Sequence, residues 1–100
     1  MSNKYKRAIN IWLKLATSLF GSFVEVVYSK NEGYVGLKGK IIDETEKMLF
    51  VEMESTKKTI CIPKKGQVFR INLNDKVVLV RGEILLGKPH QRMKKKIKLW

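Results

Sequence analysis

From Met48 to Glu54 the chain reads Met-Leu-Phe-Val-Glu-Met-Glu, which puts Leu49, Val51 and Met53 on one side and Phe50, Glu52 and Glu54 on the other. A period of two is the signature of a strand with one face in a core and one in water. The same alternation returns at Val68 to Leu73, where Phe69, Ile71 and Leu73 face one way and Arg70 and Asn72 the other. Working outward, Phe23 to Ser29 is β-branched and aromatic, and Tyr34 to Asp43 follows the turn Asn31-Glu32-Gly33. Lys58 to Ile62 follows Ser55-Thr56-Lys57, and Lys76 to Arg81 follows Asn74-Asp75. Short strands separated by tight turns predict a small, twisted antiparallel β-barrel over residues 22–87. A barrel removes the exposed edges that such a chain would otherwise present. Gly36 and Gly39 fall within one predicted strand and suggest a sharp bend or a close backbone approach. Pro63 ends a strand or sits at an edge, with Lys64-Lys65-Gly66 as a loop.

Before Ser22 the period is different. Tyr5, Ile9, Trp12, Ala16 and Leu19 step by four and three, with Leu13 and Phe20 beside them. Residues 1–21 therefore read as an amphipathic helix that Asn3 or Ser2 can cap and Gly21 stops. Its apolar stripe suits the chain's own core, the groove of a partner protein or, less well, a membrane surface. Past the short apolar element Glu83 to Gly87, Pro89 suits the first turn of a helix, and residues 88–100 read as a basic C-terminal helix or arm. One hundred residues make one domain.

Lys and Arg number 21 against 9 Asp and Glu, a net charge of +12. The excess sits at the ends. Residues 1–24 hold Lys4, Lys6, Arg7 and Lys14, residues 88–100 hold Lys88, Arg92, Lys94, Lys95, Lys96 and Lys98, and neither stretch has an acid. A folded body with basic arms attracts polyanions, nucleic acid first. Lys38, Lys40, Lys64, Lys65, Arg70 and Arg81 on the body, with Lys88, Arg92 and Lys94 to Lys96 beyond it, are the expected phosphate contacts. Tyr5 or Trp100 can stack on an unpaired base.

Catalytic constellations are hard to find. The single histidine, His90, lies in the basic tail, and the single cysteine, Cys61, lies mid-strand. Asp43, Glu44 and Glu46 could hold Mg²⁺ through water, but Asp43-Glu44-Thr45-Glu46-Lys47 reads better as a turn whose side chains bond their own backbone. One cysteine allows no internal disulfide, which fits a reducing compartment. Asn10 and Lys14 interrupt the only long apolar run, so neither a signal peptide nor a membrane span is expected, and the protein reads as cytoplasmic.

Four ordered segments resemble a known family. Gly36-Leu37-Lys38-Gly39-Lys40-Ile41-Ile42-Asp43-Glu44-Thr45, with Leu49 four residues on, is similar to G-x-x-G-x-V-x-D-E-T-x-x-x-L of archaeal ribonuclease P protein component 1, the counterpart of the eukaryotic 29-kDa RNase P/MRP subunit. Ile62-Pro63-Lys64-Lys65-Gly66 with Phe69 and Arg70 resembles its V-P-K-x-x-x-x-F segment. Val80-Arg81-Gly82, Leu85-Leu86-Gly87 and Lys88-Pro89-His90-Gln91-Arg92 resemble its ending, and Leu19-Phe20-Gly21 with Val26-Val27-Tyr28-Ser29 its entry. The chain departs from the family pattern at Thr17-Ser18, Lys47-Met48 and His90-Gln91. The resemblance implies an Sm-like barrel with helical ends. It implies a non-catalytic subunit that binds and helps fold the RNA of the complex that trims the 5′ leader from precursor tRNA. Mg²⁺ is then held by that RNA and no cofactor by this chain. A zinc-ribbon protein subunit and other protein subunits are the implied partners, with Ile9, Trp12, Leu13, Ala16 and Phe20 against the zinc-ribbon protein. No membrane and no small-molecule substrate is implied. Competing readings are a general Sm-like RNA chaperone, a small basic DNA-binding protein and a small nuclease using Asp43, Glu44 and His90.

Overall fold

The computed structural model describes residues 19–73 and 76–87. The expected helix up to residue 18, the turn Asn74-Asp75 and the basic segment 88–100 lie outside the described residues. The described chain is all-β. Its strands are β1 (Phe23–Ser29), β2 (Lys38–Glu44), β3 (Met48–Met53), β4 (Thr59–Pro63), β5 (Gln67–Leu73) and β6 (Lys76–Arg81). They form one antiparallel sheet in the order β4-β3-β2-β1-β5-β6.

The alternation does what its period demands. Val24, Val26, Ile41, Leu49, Val51, Ile62, Phe69, Ile71 and Val80 all point to one side and are buried in a single cluster, joined by Leu19, Leu73 and Leu85. Each such side chain contributes about 1.5–3 kcal/mol of burial. Every strand supplies at least one member, so the sheet must curve around its own inner face. Two bulges help it turn, one between Val26 and Tyr28 on β1 and one between Ile41 and Asp43 on β2.

The curvature brings the two edge strands together at one end. No ladder joins β4 to β6. The backbone after β4 nevertheless lies against the residue after β6. A Cβ built on Gly82 would sit 1.5 Å from the carbonyl oxygen of Lys64 and 3.2 Å from the Phe69 ring. Gly39 serves the same purpose inside the sheet, where a Cβ would fall 2.0 Å from Glu52 O.

Three boundaries differ from the sequence-based expectation. The strand expected from Tyr34 starts only at Lys38. Glu32–Tyr34 forms a 3₁₀ turn, capped by Asn31 Oδ1 accepting from Gly33 N, and Gly36 leaves it with φ of +88°. Gly36 is thus a loop residue and not a strand residue. Leu19 to Gly21 form a turn in which Ser22 N donates to Leu19 O and Gly21 has φ of +86°, so the expected helix does not run through Leu19 and Phe20. That turn lets Leu19 drop into the core at 1% exposure while Phe20 stays 70% exposed. The apolar element expected at Glu83 to Gly87 is a 3₁₀ turn over Gly82–Leu85.

The approach at Gly82 generates a prediction. Gly82→Ala forces the Lys64 carbonyl away and should cost about 3 kcal/mol or more. Thermal unfolding followed by circular dichroism should show a midpoint lower by about 12 °C or more.

Candidate nucleic-acid interface

The expected phosphate contacts divide into a surface group, an end group and one residue that belongs to neither. On β2 the alternation that buries Gly39 turns Lys38 and Lys40 outward, and both are exposed. Their cross-strand neighbours set their field. Lys40 stands between Phe23 and Glu52, and Lys38 opposite Glu25. Glu25 also faces Arg70, whose Nη1 donates to Glu25 Oε1 at 3.1 Å. The pair is half-exposed, so it contributes less than about 1 kcal/mol. Beside these residues run two shallow grooves of ≈ 260 and ≈ 160 Å³, lined among others by Lys38, Lys40, Glu54 and Lys57. The charge of this face is therefore mixed.

The end of the sheet where β1, β4 and β6 finish is different. Lys65 and Arg81 are exposed there. Lys30 joins them because its N–H donates to Gly66 O and its side chain lies over Gly66. Sequence reasoning missed Lys30: an isolated lysine after a strand has no local mark, and only the pairing of loop 64–66 with β1 brings it in. The acid among them is Glu83, whose Oε2 accepts from Gly66 N at 3.0 Å. That backbone bond, chiefly, and the positive field of Arg81 and Lys30 hold its carboxyl below the usual 4.5.

Lys64 corrects the expectation. It is not a phosphate contact. Its side chain is fully buried, and Nζ donates to Glu44 Oε2 at 2.7 Å, Thr45 O at 2.7 Å, Gly87 O at 3.1 Å and, more weakly, Glu46 O at 3.3 Å. Glu44 is almost as buried, at 6% side-chain exposure. The turn it belongs to also bonds itself as expected. Asp43 Oδ1 accepts from Glu44 N, and Thr45 Oγ1 accepts from Met48 N. Asp43 and Glu44 are thus tied into the fold, while the Glu46 side chain is exposed, and no group of three metal-ligating side chains occurs among the described residues.

Gly87, the last residue before the basic segment, is pinned to this end twice: its N–H donates to Glu46 O, and its carbonyl accepts from Lys64. Lys88, Pro89, Arg92, Lys94, Lys95 and Lys96 lie outside the described residues, as do Ile9, Trp12, Leu13 and Ala16. No helix among the described residues is long and apolar enough to cross a membrane.

The family of ribonuclease P/MRP subunit p29 matches residues 14–95. The chain belongs to this family. It is 43% identical over 84 residues to ribonuclease P protein component 1 of Methanococcus aeolicus, covering 84% of this chain and 88% of the relative. To the same protein of Methanocaldococcus jannaschii it is 42% identical, over 85% of this chain and 88% of the relative. A solved structure described as Mth11, a homologue of human RNase P protein Rpp29, superposes with a TM-score of 0.55 at 29% identity, covering 75% of this chain and 96% of the other. The protein is a subunit of RNase P, which acts in tRNA processing, and its relatives are archaeal.

Lys64→Met leaves the Glu44 carboxylate and three carbonyls facing an aliphatic chain, so unfolding by urea should show a loss of about 3–5 kcal/mol. Adding Glu44→Met should recover part of it. Glu83 has the opposite pH logic to a lysine. Its folded-state value is depressed, so its contribution is present above pH 4.5 and lost as pH falls through the folded value. Glu83→Gln should therefore narrow the gap to the wild-type urea midpoint below pH 4.5 and leave it widest near neutrality.

Proposed function

We propose that this RNase P subunit is a non-catalytic RNA-binding scaffold. The observation that supports it most is the end cluster of Lys30, Lys65 and Arg81, from which the basic segment after Gly87 continues. Three exposed cations gathered at one end of a curved sheet suit a folded polyanion, whose phosphates are spaced along a surface rather than gathered at a point. Lys38 and Lys40 extend the same reading along β2, with acids between them tempering non-specific attraction. On this reading the curved sheet is an Sm-like barrel, and the basic tail, Lys88, Arg92 and Lys94 to Lys96, adds phosphate contacts.

The chain helps fold the RNase P RNA, and that RNA holds the catalytic Mg²⁺ and cuts precursor tRNA. The apolar stripe Ile9, Trp12, Leu13 and Ala16, with exposed Phe20 at its end, docks on a zinc-ribbon protein subunit. A cytoplasmic setting agrees with the free, exposed thiol of Cys61.

Reconstitution tests this. With the cognate RNA and protein subunits, adding the chain should raise precursor-tRNA cleavage at low magnesium, and the chain alone should cut nothing. Arg81→Ala or Lys65→Ala should each weaken RNA binding and lower the salt slope by about 1. Folded Lys64→Met protein should keep the wild-type slope. Equal cleavage with and without the chain, or matched affinity for duplex DNA at the same salt, would overturn the proposal.

A further inference from the structure

The sheet has two edges, and among the described residues only one of them is guarded. β4 is preceded by Lys57 and Lys58, ends on Pro63 and exposes Thr59 and Cys61. Charge, proline and polar side chains are the usual protection of an edge strand. β6 has none of this along its middle. It reads Val77-Val78-Leu79-Val80 between Lys76 and Arg81. It pairs with β5 on one side, and among the described residues no backbone group of Lys76 to Val80 is bonded on the other. Its outward side chains are open, Val77 at 58% and Leu79 at 66% exposure. The register continues the patch inward. Leu79 lies beside Arg70, and Arg81 lies beside Val68, which lies beside Tyr28, itself 58% exposed.

We propose that β6 receives an extended, acidic segment of another RNase P protein subunit as a seventh strand. An open row of N–H and C=O groups with aliphatic side chains on alternate positions is what strand addition uses. Charge selects the occupant: Arg70 is already paired with Glu25, but neither strand contains Asp or Glu, and the exposed cations Lys76 and Arg81 bracket β6. Acidic residues flanking the added strand would meet these cations, with apolar residues over Val77 and Leu79. A second copy fits poorly. Antiparallel pairing of two β6 strands sets Lys76 against Arg81 at both ends, on chains of +12 each. RNA fits poorly as well, since phosphates neither continue a ladder nor cover aliphatic side chains. This surface involves none of the residues proposed to meet the zinc-ribbon protein, and the inference rests on the chain's place in RNase P.

Amide hydrogen exchange of the full-length chain tests it in three states: free, with RNase P RNA alone, and in the complex reconstituted with the RNA and all cognate protein subunits. Residues 76–80 should slow by about 100-fold in the full complex only. A photo-crosslinker replacing Leu79 should capture a protein peptide with acidic residues beside alternating apolar ones. Val77→Lys with Leu79→Lys should reduce retention of that subunit at least tenfold, with RNA affinity of the chain unchanged or raised. The wild-type exchange measurement stands even if this variant misfolds. Unchanged exchange in the full complex overturns the inference. So does protection by RNA alone, or concentration-dependent protection in the free chain, which would mark a second copy. Failure to bind RNase P RNA would sink the function proposed above, whereas RNA binding with residues 76–80 still open sinks only this inference.

Discussion

One buried ammonium organises the end of the molecule that matters most. Lys64 Nζ has three protons and finds a carboxylate and three carbonyls around it. An unpaired charge in that position would cost several kcal/mol, so the surrounding groups have to be where they are. Those groups come from the β2–β3 turn and from Gly87, and Lys64 itself follows the edge strand β4. The ammonium thus ties Gly87, which lies outside the sheet, to the β2–β3 turn and the end of β4, which the β3–β4 ladder already sets side by side. Gly82 completes the joint by letting the Lys64 carbonyl approach without a side chain between.

The charges that remain in water are arranged by this same joint. Loop 64–66 hands Gly66 to both Lys30 and Glu83, which places Lys30 and Lys65 with Arg81 at one end. Along the outer face of the sheet, by contrast, cross-strand pairing puts Glu25 and Glu52 next to Lys38, Lys40 and Arg70. A net charge counted along the chain cannot separate these situations. It is the register that makes one surface mixed and the other basic.

Most of the fold was legible because its strands have one wet face. Phe23–Ser29 and Lys76–Arg81 begin and end where alternation and turn residues place them. The start of β2 was not legible, since Tyr34 and Val35 have strand-like side chains while Asn31 and Gly33 close a 3₁₀ turn ahead of them. The status of Lys64 was also hidden. Beside Lys65 in a Pro-Lys-Lys-Gly loop it looks like a solvated cation, and its partner Glu44 lies twenty residues earlier. The resemblance matched both residues in its motifs without saying that they touch. Lys30 was invisible for the mirror reason: its neighbours Lys65 and Arg81 are distant in sequence.

The ionic joint responds to heat differently from the apolar cluster around it. Hydration of a charged group becomes less favourable as temperature rises, so the penalty for keeping Lys64 and Glu44 dry shrinks, while hydrophobic stabilisation per unit area levels off. Warming therefore tilts the balance toward the clasp. Thermal fraying should begin away from it, at the opposite rim of the sheet, and leave the Lys30, Lys65 and Arg81 end among the last parts to open.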